Sequence, residues 1–360
     1  MQDRKRIDFE LMRILAAFFV IFNHTQLRGV LLYTLEDPRS IFFWLYQSVS
    51  IFCTMSVPLF LMISGALLLN RETRSLKKLW IHKVLHFCLI LLIWSFFYYL
   101  VGVYRGNEEF HLPQFLTTLY SSNWNKWNYS YWFLNLYIAV LICLPMLQKF
   151  AQSLSNKEFL YLLAIYAVFN ILFPCAELLL YRGNYIMSAT FYPTWVFVDG
   201  VIFPFLGYFL EHRAKNFWNR RRMLLLWLLN LCAILFTCYL DYFREKLIGY
   251  YDGFDHKRFV LLNAATIFVT IQQLGCRTDI LEKWRKPILS VGGCTFGIYL
   301  IHLYLLESPA FSGCLGGFLD RYLSSVKLLS GFLFCGAIFL TGYLITMLLS
   351  KIPILKRLVT

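Results

Sequence analysis

Apolar runs of about twenty residues recur along the chain, separated by short polar stretches rich in lysine and arginine. A run of that length spans the roughly 30 Å hydrocarbon core of a bilayer as an α-helix. The pattern predicts ten such helices, at 9–30, 41–69, 80–103, 130–149, 158–180, 194–211, 223–242, 258–274, 288–306 and 329–350. No intervening stretch has room for a soluble domain, and no internal repeat or low-complexity linker is visible. The expected fold is all-α: a polytopic helical bundle in a lipid bilayer, forming a single domain over residues 1–360 with no appended soluble unit.

The first run carries an arginine and a histidine inside it. Arg13 and His24 are eleven residues apart. Eleven steps of about 100° close three turns, so the two side chains share one helix face, about 16 Å apart along the axis. Ala16, Ala17 and Val20 lie between them on that face, while Leu11, Leu15, Phe18, Phe19 and Phe22 crowd the other. The pattern predicts a narrow groove with a cation at one end and a titratable base at the other. Polar groups inside spans are costly and mark functional pathways more often than chance. The bland alternative is a signal anchor with a snorkelling arginine and a satisfied buried histidine. Asp8, Glu10 and Arg13 interrupt the run and no small-residue cleavage site follows His24, so the sequence predicts a retained first span.

Composition agrees with a membrane protein. The chain is 59% hydrophobic and 15% charged, against about 45–50% and 25% in soluble domains. The net charge of +14 would suggest nucleic acid in a soluble protein; here positive-inside loops account for it. With the N-terminus cytoplasmic, 22 lysines and arginines fall on the inner side and 11 on the outer, Arg13 being inside a span. That bias, and an even number of spans, predicts both termini inside. The ten cysteines are scattered with no C-x-x-C pair, which reads as apolar filling rather than metal ligation; no metal is expected.

This orientation sorts the remaining polar residues by depth. Ser64, Gly65, Arg71 and Arg74 fall near the inner boundary. His24 and His302 fall past the midplane, about 21–22 Å from the inner boundary, and Asp199 lies nearer the outer face. Two histidines at one depth on different helices suggest one site. His302 reads equally as a structural hydrogen-bond partner, Asp199 as a helix cap, and Arg71 and Arg74 as topology signals.

Four stretches, in order, resemble the membrane-bound acyltransferase-3 family. They are RIDFELMRILAAFFVIFNH with its Arg13/His24 spacing, SVPLFLMISGALLLNRETRSLKK with Phe60-x-x-x-Ser64-Gly65 and the basic segment after it, YWFLNLYIAVLICLPML from Trp132 to Pro145, and FGIYLIHLYLL around His302. The chain departs from that pattern at HKVLHF (His82–Phe87), with histidines where arginines are expected, so donor binding is not assigned there. The resemblance implies transfer of an acyl group, usually acetyl, from cytoplasmic acyl-CoA to a glycan hydroxyl on the outer side, in a bacterial inner membrane. Arg71, Arg74 and Arg13 would then meet the CoA phosphates, with Ser64 and Gly65 beside them. The pantetheine arm would lie along the Ala16/Ala17/Val20 groove, and His24 would act as base, positioned with Arg13. His302, Asp199 and Trp132 would stand on the acceptor side. The rival class is a transporter, which explains the spans but not the ordered motifs or the missing repeat.

Overall fold

The apolar runs fold as helices because a backbone in lipid has no other way to satisfy its own polar groups. The computed structural model describes residues 6–73, 75–120, 126–182, 198–249, 255–276 and 281–359, and all the regular structure among them is helical. In chain order the helices are α1 (Ile7–His24), α2 (Ile41–Cys53), α3 (Ser56–Leu68), α4 (Leu76–Tyr104), α5 (Leu112–Tyr120), α6 (Tyr129–Ser153) and α7 (Asn156–Tyr181). They continue with α8 (Asp199–His212), α9 (Arg220–Ile248), α10 (Val260–Cys276), α11 (Arg285–Gly292), α12 (Thr295–Leu306), α13 (Cys314–Leu323), α14 (Lys327–Leu349) and α15 (Pro353–Val359).

Each of the ten predicted spans falls on one or two of these helices, apart from residues 194–197 at the start of the sixth, which lie outside the described residues. Among the described residues, six stretches are long and apolar enough to cross a bilayer unaided: α2 with α3 (Ile41–Leu68), α4, α6, α7, α9 and α14. A seventh, α11 with α12, is bent by 57° at its break. The other three depart for visible reasons. The first carries Asp8, Glu10 and Arg13 within its 18 residues, α8 has only 14 residues, and α10 has 17.

Local signals set several helix ends. Asn219 accepts a hydrogen bond from the Arg222 amide to start α9, and Ser155 forms a reciprocal capping box with Glu158 at the start of α7. Such caps contribute about 1 kcal/mol each. Along α9 the outward side is a leucine face: Leu224, Leu225, Leu228, Leu229, Leu231 and Leu235 are all exposed. That surface suits lipid and would be a liability in water.

The first helix is the axis of the bundle. It packs against α3, α10, α11, α12 and α14, and Met12, Ala16, Ala17, Ile21 and Phe22 are at most 2% exposed. The most extensive helix pair is α3 with α8. A side chain at Gly65 would put its Cβ 1.9 Å from the Pro204 carbonyl oxygen, and one at Gly207 would put it 2.0 Å from that of Met62. Two glycines, one on each helix, therefore let the backbones touch, which is how helices associate where lipid removes the hydrophobic driving force.

Candidate active site

The C-terminal end of α1, on the outer side in the orientation that the charge bias predicts, delivers His24 to His302 on α12. Nδ1 of His24 lies 2.9 Å from Nε2 of His302, with the rings stacked at 5.0 Å between centroids. Nδ1 of His302 in turn lies 2.6 Å from the Tyr299 carbonyl oxygen. A carbonyl only accepts, so neutral His302 carries its proton on Nδ1 and presents a lone pair at Nε2. His24 must then donate from Nδ1, which leaves its own Nε2 as a free base. Next to it, Asn23 donates from Nδ2 to the Cys53 carbonyl and to Ser56 Oγ, at 3.0 and 3.1 Å. Those two bonds pin this turn of α1 to the junction of α2 and α3.

His24 lines an outer cavity of about 480 Å³. Trp132, Asp199, His256 and Lys257 line the same space. Arg13, at the other end of α1, lines an inner cavity of about 420 Å³ together with Glu10, Ser64, His86 and Tyr137. A third space of about 430 Å³ lies at the end of the bundle marked by Arg6, Asn70, Arg71 and His212, and it also reaches Glu10 and Arg13. The three cavities stand in series. Glu10 and Arg13 are common to the third and the inner one; Phe60, Phe133 and Tyr299 are common to the inner and the outer one.

An acyltransferase domain profile, that of the acyltransferase-3 family, matches residues 6–351. The chain belongs to the acyltransferase-3 family. With its apolar helices, that makes it an integral membrane acyltransferase. No curated protein and no solved structure shows significant similarity to it. The family selects group transfer over the rival transporter reading, and the site geometry can be set against the residues that the acyltransferase-3 resemblance singled out.

Most of them gather as two groups on one line. His24, Asp199 and Trp132 share the outer cavity, with His302 bonded behind His24. Arg13 and Ser64 share the inner cavity, and Arg71 lines the space beyond it. Arg13 is anchored by Glu10, one turn back, at 2.6 Å. Arg71 lies close enough to Lys83 for their like charges to interact. Ser64 donates to the Phe60 carbonyl at 2.9 Å, one turn back. Gly65 lines none of the three spaces and serves the α3–α8 contact instead. Arg74 lies outside the described residues.

Of the expected Ala16/Ala17/Val20 groove along α1, only Val20 lines a cavity, the outer one. Ala16 and Ala17 are 0% and 2% exposed, so no water-sized probe reaches Ala16, and neither lines a cavity described above. Their small side chains admit neighbouring helices rather than a ligand. The passage from Arg13 toward His24 runs beside α1, past residues of α3, α6 and α12.

Several residues of this acyltransferase-3 site were not singled out by the sequence. His256 is one. Its Nδ1 lies 2.7 Å from Asp241 Oδ2 and its Nε2 2.9 Å from Ser50 Oγ, and all three are buried. This resembles a nucleophilic triad, but Ser50 is 0% exposed and donates to the Val30 carbonyl at 2.7 Å. Without an accessible oxygen it braces the outer wall instead. The one signal available was Asp241, a carboxylate deep in an apolar helix. His86, from the HKVLHF segment, lines the inner cavity.

Proposed function

We propose that this membrane acyltransferase carries an acyl group, in the first instance acetyl, from cytoplasmic acyl-CoA to a hydroxyl of a cell-surface or lipid-linked glycan on the outer side of a bacterial inner membrane. The observation that carries the reading is the contact of His24 Nδ1 with His302 Nε2, from which the tautomer of His24 follows. Its base, Nε2, is left free by the bond to His302, beside a cavity in series with an arginine-lined space at the opposite end of the bundle.

In this reading Arg71, with Arg74 beside it in sequence, takes the CoA phosphates through charge-assisted bonds. Arg13, held by Glu10, guides the pantetheine arm into the inner cavity, past Ser64. The thioester ends at the Phe60–Phe133–Tyr299 layer. On the outer side Trp132 offers an apolar face to a sugar ring, and Asp199 accepts from its hydroxyls. His24 Nε2 takes the proton of the attacking hydroxyl as its oxygen bonds to the acyl carbon. The C–S bond then breaks, and the same proton passes from His24 to the departing sulfur, giving free CoA thiol and an O-acyl ester. His302 stabilises the transient imidazolium by accepting from Nδ1 throughout. No metal enters this scheme, and the donor is consumed as a substrate.

Purified protein in liposomes, with labelled acetyl-CoA on the Arg71 side and glycan acceptor on the His24 side, tests it. The expected outcome is label in the acceptor and free thiol on the donor side, both lost in His24→Ala. His24→Ala activity within about tenfold of the parent would remove the base from the scheme, since general-base help alone contributes 10²–10⁴-fold.

A further inference from the structure

The inner and outer cavities are separated by one aromatic layer. Phe60 of α3, Phe133 of α6 and Tyr299 of α12 each line both spaces. Their rings touch in sequence: Phe60 to Phe133 at 5.9 Å between centroids, and Phe133 to Tyr299 at 5.7 Å in an edge-to-face arrangement. We propose that this layer is a selectivity gate, through which only a short, slim acyl end threads from the donor side to the acceptor side.

Three features support a gate over ordinary core packing. The layer comes from three separate helices, so a small shift of any one opens it. The inner cavity and the outer cavity beside His24 share this layer, whereas the path along Ala16 and Ala17 is closed. And Tyr299 is fixed at both ends: its hydroxyl donates to the Ser130 carbonyl at 2.7 Å, while its own carbonyl receives the His302 proton. The residue that forms one edge of the gate therefore also sets the tautomer of the His24 partner. The phenyl rings of Phe60 and Phe133 form no hydrogen bonds and are the movable leaves. Closed, the layer also keeps water of the outer cavity from the donor thioester, which limits wasteful hydrolysis.

The substrate side of this inference rests on the acyl-CoA reading, while the partition itself does not. The test therefore has two arms. In the first, Ser64→Cys places a thiol in the inner cavity, whose lining contains no native cysteine, as is true of the outer one. Sealed vesicles are treated from the His24 side with a small membrane-impermeant thiosulfonate. Labelling of Cys at that position is expected only when Phe133→Ala, or Phe60→Ala on a different helix, is also present. In the second arm, transfer from butyryl-CoA relative to acetyl-CoA is expected to rise by about tenfold or more in either truncated variant, as two added methylenes find room. Outer-side labelling equal in folded parent and truncated proteins, or an unchanged butyryl-to-acetyl ratio, overturns the gate. A parent that transfers nothing from acyl-CoA defeats the functional reading instead, and the labelling arm still decides whether the layer divides the two spaces.

Discussion

His24 Nδ1 and His302 Nε2 lie 2.9 Å apart although the residues are 278 positions apart in the chain. The contact fixes which nitrogen of His24 is free, and it does so through the Tyr299 carbonyl, a group that cannot reverse its role. In the proposed scheme His302 is thus a positioning residue rather than a second base.

That assignment predicts a graded series. His302→Ala should lower transfer by about 10- to 100-fold, as loss of a partner that orients a functional imidazole does, and should leave acetyl-CoA binding unchanged. His302→Gln retains an acceptor oxygen and should restore part of the loss. Equal activity in the alanine and glutamine variants, both folded, would assign His302 to packing alone.

Gly65 makes a contrasting prediction. Its neighbour is the Pro204 carbonyl, not a ligand space. Gly65→Ala should force α3 from α8 and cost about 1–3 kcal/mol, as overpacking does. Gly207→Ala should match it. Thermal unfolding in detergent should show both falling together, with acetyl-CoA still raising the midpoint of whatever folds. A stable Gly65→Ala protein that had lost only donor binding would return Gly65 to the donor site.

How much of this was legible beforehand depended on range. The eleven-residue spacing put Arg13 and His24 on one face, and both face cavities in series, because that inference needed only helix geometry. The same face misled about Ala16 and Ala17. Small residues admit either a ligand or another helix, and only the tertiary packing of α3, α10 and α12 around α1 decides for the helices. Phe60, Phe133 and Tyr299 could not be picked from a chain that is 19% aromatic. Their significance is that three helices bring them into one layer. Ser50 and His256, 206 positions apart, were hidden for the same reason.

Orientation in the bilayer rests on charge alone and has its own prediction. Reporter fusions after Lys78, Arg222 and Lys286 should read cytoplasmic, and those after Asn107 and Asp255 should read external, from the 22-to-11 bias. An external signal after Arg222 would exchange the donor and acceptor sides assigned to the cavities.

Arg71 carries the donor-side prediction. It lines the space that opens toward Arg13, and it lies close enough to Lys83 for the two like charges to interact. Arg6, in the same space, is held by Asp8 and by Glu211, the latter at 2.5 Å. Arg71→Ala should therefore weaken acetyl-CoA binding by about 1.5–3 kcal/mol, the range for a hydrogen bond to a charged group, and should do so in a way that added salt diminishes. Arg221, at the start of α9 and assigned only to topology, is the control: Arg221→Ala removes the same formal charge. Isothermal titration or ligand-induced thermal stabilisation separates the two. Loss confined to Arg71→Ala places the phosphates at that end of the bundle, whereas equal loss in both variants would reduce the effect to the general positive potential of the inner face and leave the donor head group without an assigned partner.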